Sequence, residues 1–176
     1  MEQGVILETE RLVLREFRAE DVDPMLAVLG DPEAMRFYPA PFDRAGVQAW
    51  INRNRERYRH DGFGLWAMLL KSTGEVIGDC GCVSQYVEDR KEVEIGYHVQ
   101  RDLWGNGYAT EAARACMEHA FSRLSQARVV SMIRPQNLNS RRVAEKNGLN
   151  CEKVIFWNGY EHCIYALTKQ QWARLK

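Results

Sequence analysis

A strand-like run, a glycine turn and a strongly periodic helical segment follow one another between residues 92 and 124, and this succession constrains the fold most. The helical segment carries apolar residues at positions 109, 112, 113, 116, 117, 120, 121 and 124. These spacings place them on one stripe of a helix with about 3.6 residues per turn. The segment therefore predicts a strand and an amphipathic helix that are joined by residues 104–110, Trp-Gly-Asn-Gly-Tyr-Ala-Thr.

The remaining patterns predict six further strands, three further helices and a terminal helical turn. The strands are Arg11–Arg18, Leu65–Lys71, Val76–Val87, Arg128–Arg134, Cys151–Trp157 and Glu161–Leu167, in addition to Glu92–Val99. The helices are one that opens at Glu20-Asp21, one that Asp43 caps and that runs to about Arg59, and Leu138–Asn147. This order predicts a mixed α/β (α+β) fold, with a mostly antiparallel sheet of about seven strands flanked by about four helices. Residues 1–176 are expected to form a single domain.

The composition argues against several functional classes. With 24 basic and 24 acidic residues, the formal net charge is zero, so non-specific attraction to nucleic acid or to an acidic membrane is not expected. No apolar run approaches the roughly 20 residues of a membrane helix, and Met1–Glu10 lacks a basic-then-apolar signal pattern. We therefore expect a cytoplasmic protein with no nucleic-acid or membrane partner.

The cysteines and histidines do not form a metal-binding pattern. Five cysteines are odd in number and are never spaced Cys-x-x-Cys, and four histidines are scattered. We expect reduced, mostly buried thiols, with Cys80, Cys82 and Cys116 in the core, and no metal site.

The glycine turn before the periodic helix suits a phosphate group. Gly105 and Gly107 lack a Cβ, so the backbone can turn sharply and approach a ligand. The first helical turn offers unpaired N–H groups at the positive end of the helix dipole. A dinucleotide fold would need a third glycine where Thr110 stands, and a Walker loop would need Gly-Lys followed by Ser or Thr, which is absent. An ordinary turn before a helix is the alternative.

Three segments resemble the GNAT superfamily of acetyl-CoA-dependent N-acetyltransferases. They are Glu94–Tyr97, Trp104–Ala112 and Asn137–Leu149, and the opening Leu7–Arg15 is similar to the RimJ/RimL-type branch. The resemblance implies a GNAT-like fold and direct transfer of acetyl from acetyl-CoA, the cosubstrate, to a primary amine. That amine would be a small molecule or a protein N-terminus, with ribosomal proteins among the candidates. A non-catalytic acyl-CoA-binding or sensor module on the same fold is the alternative, and both a monomer and a homodimer remain open.

The resemblance also implies which residues contact the coenzyme. These are Tyr97, His98, Val99, Trp104, Gly105, Asn106, Gly107, Tyr108, Ala109, Thr110, Asn137 and Ser140. Trp104 departs from the Arg or Gln of the general family pattern, and Asn137 would equally serve as a simple helix cap. Arg141, Arg142 and Lys146 are candidates for the 3′-phosphate, with solvated helix positions as the alternative.

The expected chemistry requires a base that accepts the proton of the amine. The resemblance favours Glu94 as the catalytic base, and Glu92, on the same strand face, competes for this role. A backbone N–H of the strand Tyr97–Val99 would stabilise the oxyanion.

The tyrosine that serves as the acid in many family members is replaced here by Ala144, and Ser140 is the nearest substitute. A thiol with a pKa near 8.5 leaves without much help, so the loss of that acid need not abolish catalysis. Aromatic residues from segments that shape the acceptor cleft in relatives are Tyr38, Trp50, Tyr58, Trp66 and Tyr86.

Overall fold

One eight-stranded sheet carries helices on both of its faces in a computed structural model that describes residues 4–176. The first three residues of the predicted domain lie outside the described residues. The strands are β1 (Val5–Glu8), β2 (Leu12–Arg15), β3 (Leu65–Leu70), β4 (Val76–Val87), β5 (Arg90–Val99), β6 (Arg128–Ile133), β7 (Asn150–Trp157) and β8 (Tyr160–Thr168). Their order across the sheet is β1-β2-β3-β4-β5-β6-β8-β7, and only the β5–β6 pair is parallel.

The helices divide between the two faces and give the protein two main cores. They are α1 (Val22–Leu29), α2 (Arg44–His60), α3 (Tyr108–Ser122), α4 (Leu138–Lys146) and α5 (Lys169–Arg174). Helices α1 and α2 pack on one face, against Leu65, Ala67 and Val83 of the central strands. Helices α3, α4 and α5 pack on the opposite face, against the strand residues that alternate with those three.

The periodic stripe of α3 is buried as its spacing predicts. Its buried residues are Ala112, Ala113, Cys116, Met117, Ala120 and Phe121. Cys116 Sγ lies 3.6 Å from Cys80 Sγ, and neither these two residues nor Cys82 are exposed to solvent. The prediction that these three thiols belong to the core is confirmed.

The parallel strands β5 and β6 separate partway along their length. The strand register pairs only Glu94 with Val130. Next to that pair, the Ser131 hydroxyl donates to the Ile95 carbonyl at 2.8 Å, so a side chain substitutes for a backbone partner. Beyond it, the Tyr97 hydroxyl crosses the gap and donates to the Ser140 carbonyl at 2.9 Å. The end of β5 that leads into the glycine turn therefore borders a cleft.

The predicted fold class is confirmed, with one strand more than expected. Strand β1 (Val5–Glu8) was missed, because a run of three apolar residues is too short to show alternation. The predicted strand Arg11–Arg18 is shorter and spans Leu12–Arg15. The final hairpin turns at Asn158-Gly159 as predicted, and the terminal helical turn is α5.

Candidate active site

A cavity of about 320 Å³ occupies the cleft where β5 and β6 separate. The end of β5, the glycine turn, the start of α4 and the α1–α2 connection form its walls. Eleven of the twelve residues that the sequence assigned to coenzyme binding line it, all except Asn106. They are Tyr97, His98, Val99, Trp104, Gly105, Gly107, Tyr108, Ala109, Thr110, Asn137 and Ser140. The fold thus brings together segments that are more than 30 residues apart.

The glycine turn has a backbone conformation that L side chains rarely adopt. The φ angles of Gly105 and Gly107 are 80° and 82°. A Cβ added at Gly105 would meet nothing within 4 Å, so the backbone faces open space there. Helix α3 begins at Tyr108, and its first N–H groups have no acceptor within the helix. The Trp104 indole donates to the Val99 carbonyl at 2.8 Å and fixes the turn to the end of β5.

An ion pair from the first hairpin braces this turn from behind. Arg11 Nη1 donates to the Asn106 carbonyl at 2.9 Å, and Arg11 Nε lies 2.7 Å from Glu111 Oε2. Glu111 Oε1 accepts from the Thr9 hydroxyl at 2.6 Å and from the Arg11 N–H at 2.9 Å. Burial raises the pKa of Glu111, but these bonds outweigh it and the net shift is downward. The segment Leu7–Arg15 resembles the family in sequence, but its contact with Glu111, about 100 positions away, is visible only in the structure.

The start of α4 supplies the opposite wall of the cavity. Asn137 Oδ1 accepts from the Ser140 N–H at 3.2 Å, so Asn137 is the N-cap of the helix. Arg142 and Lys146 line the cavity, whereas Arg141 donates to the Tyr165 hydroxyl and the Pro135 carbonyl. The two cavity residues can meet a phosphate, and Arg141 has a structural role.

Glu94 lies at the point where β5 and β6 separate. It is not among the residues that line the cavity, but it shares a strand face with His98. Burial raises the pKa of its carboxyl, although bonds from Gln85 and from the backbone of Met132 and the charges of Arg57 and His98 oppose this shift. A carboxyl with a raised pKa beside the stretch of β5 that lines the cavity is a candidate for proton transfer.

Glu92 occupies a different environment from Glu94, although both share a strand face. Its Oε1 lies 3.2 Å from Arg128 Nε and 3.7 Å from Arg90 Nε. Arg128 also pairs with Glu152 at 2.7 Å, and these residues line a second cavity at the other end of the sheet. Glu92 is therefore an ion-pairing residue remote from the cleft.

A chain of hydrogen bonds lies beside the cavity, on the face of β5 that carries Glu94. The indole N–H of Trp50 donates to Asp79 Oδ2 at 2.9 Å, and Asp79 Oδ1 lies 2.7 Å from His98 Nδ1. His98 Nε2 lies 2.7 Å from the Tyr38 hydroxyl. The sequence singled out Tyr38 and Trp50 as aromatics of the acceptor cleft and His98 as a coenzyme-contacting residue, without predicting that they form one chain of hydrogen bonds.

Asp79 was missed entirely by sequence analysis, but a signal for it exists. The two-residue turn Glu88-Asp89 joins β4 to β5 and pairs Val87 with Arg90. Counting back from that turn places Asp79 directly opposite His98.

The position of the usual family acid lies in the core. Ala144 is only 3 % exposed and packs in the cluster that contains the α3 stripe. The cleft wall formed by α4 therefore offers the Ser140 side chain and no tyrosine at 144, and the Tyr97 hydroxyl reaches this wall from β5.

Comparisons with known proteins agree with this architecture. The sequence profile of the acetyltransferase (GNAT) domain matches residues 11–150. The Bacillus subtilis (strain 168) protein YkkB is 39% identical over 154 residues, which cover 86% of this chain and 90% of YkkB. The match to this domain shows that the protein is an acyltransferase. The chain belongs to the GNAT family of acetyltransferases, which use acetyl-CoA as the donor for N-acetylation.

Solved structures share the fold at low sequence identity. The acetyltransferase (GNAT family) from Bacillus anthracis superposes with a TM-score of 0.81 at 22% identity, covering 96% of this chain and 99% of that one. Mycobacterium smegmatis RimJ in complex with CoA-disulfide gives 0.71 at 23% identity, covering 91% and 83%. Within residues 4–176, no helix is both long and apolar enough to cross a membrane.

Proposed function

We propose that this protein transfers the acetyl group of acetyl-CoA directly to a primary amine, either a protein N-terminal α-amine or the amine of a small molecule. The observation that carries the proposal is the cleft itself. Free helix amides, a glycine turn and the separated end of β5 converge on one cavity. The segments that resemble the RimJ/RimL-type branch support a protein N-terminus as one of the two acceptor classes.

The residues of the cleft fit the coenzyme on their own chemistry. The first N–H groups of α3 lack acceptors within the helix and lie at its positive end, next to the open space at Gly105, where a diphosphate would be stabilised. Arg142 and Lys146 add positive charge from the opposite wall, within reach of a further phosphate. The backbone of β5 beyond Glu94 is separated from β6 and can pair with an extended ligand. When bound, acetyl-CoA supplies the activated acetyl group.

We assign Glu94 as the group that removes the proton of an incoming ammonium. An amine with a pKa near 10 is almost wholly protonated at neutral pH and cannot attack until it loses that proton. The raised pKa of Glu94, caused by burial, makes its carboxylate a better acceptor than an exposed one. A backbone N–H of Tyr97–Val99 is the donor toward the oxyanion, because this stretch lines the cavity.

Ser140 remains the candidate for a side-chain acid on α4. It lines the cavity, and its backbone N–H and carbonyl are held by Asn137 and Tyr97, so the residue has a fixed position. Ser140→Ala removes only the hydroxyl, and so distinguishes a side-chain acid from a residue that only begins the helix.

The first experiment is a thiol-release screen with acetyl-CoA against small amines and N-terminal peptides. Release of CoA that depends on the acceptor, with a matching mass increase of the product, supports the transferase and identifies the acceptor class. Absence of release with every acceptor, despite measurable binding of CoA by calorimetry, would favour the non-catalytic module.

The second experiment tests the coenzyme site with Gly107→Val. We expect CoA affinity to fall about tenfold, because a left-handed residue costs roughly 1–2 kcal/mol and a branched side chain would crowd Arg11, whose Nη2 lies 3.5 Å from the added Cβ, and so distort the turn. Gly74→Val is the matched control, since Gly74 has a φ of 76° and lies in the turn between β3 and β4. Equal loss in both variants, or in neither, would contradict the assignment of the turn.

A further inference from the structure

We infer that Asp79, His98 and Tyr38 form a proton relay, which accepts the proton that the attacking amine releases and returns it to the departing sulfur. The inference rests on the proposed function, because it concerns the same cleft and the same transfer. It adds catalytic roles for the His98 imidazole and the Tyr38 hydroxyl, and a positioning role for Asp79.

The hydrogen bonds fix the direction of the relay. Asp79 is fully buried and its carboxylate can only accept, so the bond of 2.7 Å places a proton on His98 Nδ1. In the neutral imidazole this leaves a lone pair on Nε2. The Tyr38 hydroxyl, 2.7 Å away, donates to that lone pair. A carboxylate, an imidazole and a hydroxyl thus stand in the order in which the imidazole of a catalytic triad takes a proton from a hydroxyl.

The relay opens onto the cleft at its hydroxyl end. Both Tyr38 and His98 line the cavity that the glycine turn and α4 enclose, whereas Asp79 lies behind them. Tyr38 is 41 % exposed, so its side chain is reachable from the acceptor side. A tyrosine with an ordinary pKa near 10 is protonated at neutral pH, and the charges of Glu94 and Asp79 act to raise the pKa of Tyr38 further. A protonated hydroxyl passes protons along a chain and does not act as a standing phenolate base.

Two aromatic contacts keep the imidazole in place. Trp50 meets the His98 ring edge-on at a centroid distance of 5.6 Å, and its indole N–H occupies the second oxygen of Asp79. Phe42 packs against Trp50 at 5.7 Å. Asp79 therefore has both oxygens bonded, and neither is free to turn away from His98. Trp50 acts through Asp79 and is a positioning residue.

The proposed step balances in atoms and protons. The bond between carbon and sulfur breaks, and the bond between carbon and nitrogen forms. Tyr38 Oη takes one proton from the nitrogen while its own proton moves to His98 Nε2, and Asp79 stabilises the imidazolium. The reverse movement delivers one proton from Tyr38 Oη to the sulfur. The relay ends as it began, and no oxidant, reductant or further reactant is consumed.

This relay has a reason to exist in this chain. Many family members carry a tyrosine acid at the position of residue 144. Here that residue is Ala144, which is buried in the core. Glu94 has a separate task, since an ammonium must lose a first proton before attack and the nitrogen loses a second proton during transfer. A carboxylate that has taken the first proton cannot take the second.

The first test needs no substrate. In the free protein, the Nδ1 proton of His98 should give a low-field N–H resonance in the ¹H NMR spectrum, because it is shared with a buried carboxylate. His98→Gln should remove the signal. Asp79→Asn should also remove it, since the amide can donate to Nδ1 and so moves the ring proton to Nε2. Persistence of the signal in Asp79→Asn would overturn the bond on which the relay depends.

The second test measures turnover and coenzyme binding separately. We expect Tyr38→Phe and His98→Gln each to lower kcat about 100-fold, within the usual range for proton transfer, and to leave the Kd for CoA within about twofold. The double variant should be no slower than the slower single variant, because both residues serve one relay. The solvent deuterium isotope effect on kcat should change in both. Tyr160→Phe and His60→Gln are the matched controls, since both residues are exposed and lie outside the cavity.

The outcomes separate the relay from the function on which it rests. A wild-type protein that releases no CoA with any acceptor refutes the proposed function and the relay with it. A wild-type protein that turns over, together with variants of normal kcat, refutes the relay alone. Variants that lose CoA affinity at unchanged kcat would show that Tyr38 and His98 only form a wall of the cleft. Circular dichroism and thermal melts confirm that each variant is folded.

Discussion

Near the start of β5, the Glu92 carboxylate forms ion pairs with Arg128 and Arg90, and Arg128 also pairs with Glu152. Two positions further on, Glu94 lies where β5 leaves β6, next to the stretch Tyr97–Val99 that lines the cavity. The carboxylates lie two positions apart on the same strand face, so they have the same chemistry and direction.

The surroundings of Glu92 and Glu94, and not their residue type, therefore separate a structural carboxylate from a catalytic candidate. Near the start of β5, Glu92 is neutralised by cations and stabilises the sheet. Glu94, at the residue that pairs with β6, is half-buried, and burial raises its pKa so that it can exchange protons.

The largest effect is expected from Glu94→Gln. Turnover should fall about 100-fold with CoA affinity unchanged, because the variant cannot accept a proton. Activity of the wild type should decline as the pH falls through the raised pKa of Glu94, and the variant should lack this acidic limb. Because burial raises that pKa above its unfolded value, the charged carboxylate costs stability at neutral pH and the cost disappears as the pH falls. The variant should therefore be at least as stable as the wild type at pH 7.

Glu92→Gln should show the opposite pattern. We expect a loss of about 2 kcal/mol in the free energy of unfolding, less than for a fully broken buried pair, because Arg128 keeps Glu152. Turnover should change by no more than about twofold, a margin below roughly 0.5 kcal/mol. Urea unfolding and the thiol-release assay measure the two quantities. A stable but inactive variant would mean that Glu92 is the base and that the comparison is wrong.

Arg11→Lys tests how far the open end depends on its brace. Lysine retains the charge but loses the fork that contacts both Asn106 and Glu111. We expect the Kd for CoA to rise about fivefold, roughly 1 kcal/mol, because the turn is held less firmly. The control is Lys71→Arg, which keeps the charge that pairs with Glu8 far from the cleft. Unchanged binding in Arg11→Lys would show that the glycine turn keeps its shape without the brace.

The smallest effect is expected from Tyr97→Phe. One hydrogen bond to Ser140 crosses the gap between the separated strands, and its loss should cost about 0.5–1 kcal/mol of stability. Thermal unfolding measures this, and the loss should be smaller than for Glu92→Gln. A larger loss than at Glu92 would mean that the open end, and not the ion-paired end, holds the sheet together.

Local patterns sufficed for most of the fold. The apolar stripe between positions 109 and 124 identified α3, and Asn158-Gly159 identified the last hairpin, because each pattern lies within one continuous segment. The strand Val5–Glu8 escaped notice, since four residues carry too little periodicity and gain their place only by pairing with β2. For the site, the glycine turn and the capping asparagine were visible for the same local reason.

The side chains of the proposed relay required the assembled protein. Asp79 and His98 become neighbours through the pairing of β4 and β5, and Tyr38 reaches them from a connection 60 residues away. The different environments of Glu92 and Glu94 also depend on β6, because its first residue, Arg128, pairs with one, and its separation from β5 frees the other.

Periodicity, glycine positions and helix ends act over a few residues, so they were enough to predict most elements and to single out the turn for which we propose phosphate binding. Which ionisable groups contact each other depends on the folded protein. Burial, charge pairing and hydrogen-bond direction depend on distances between residues that are remote in the chain, and these distances set the pKa and the partner of each group.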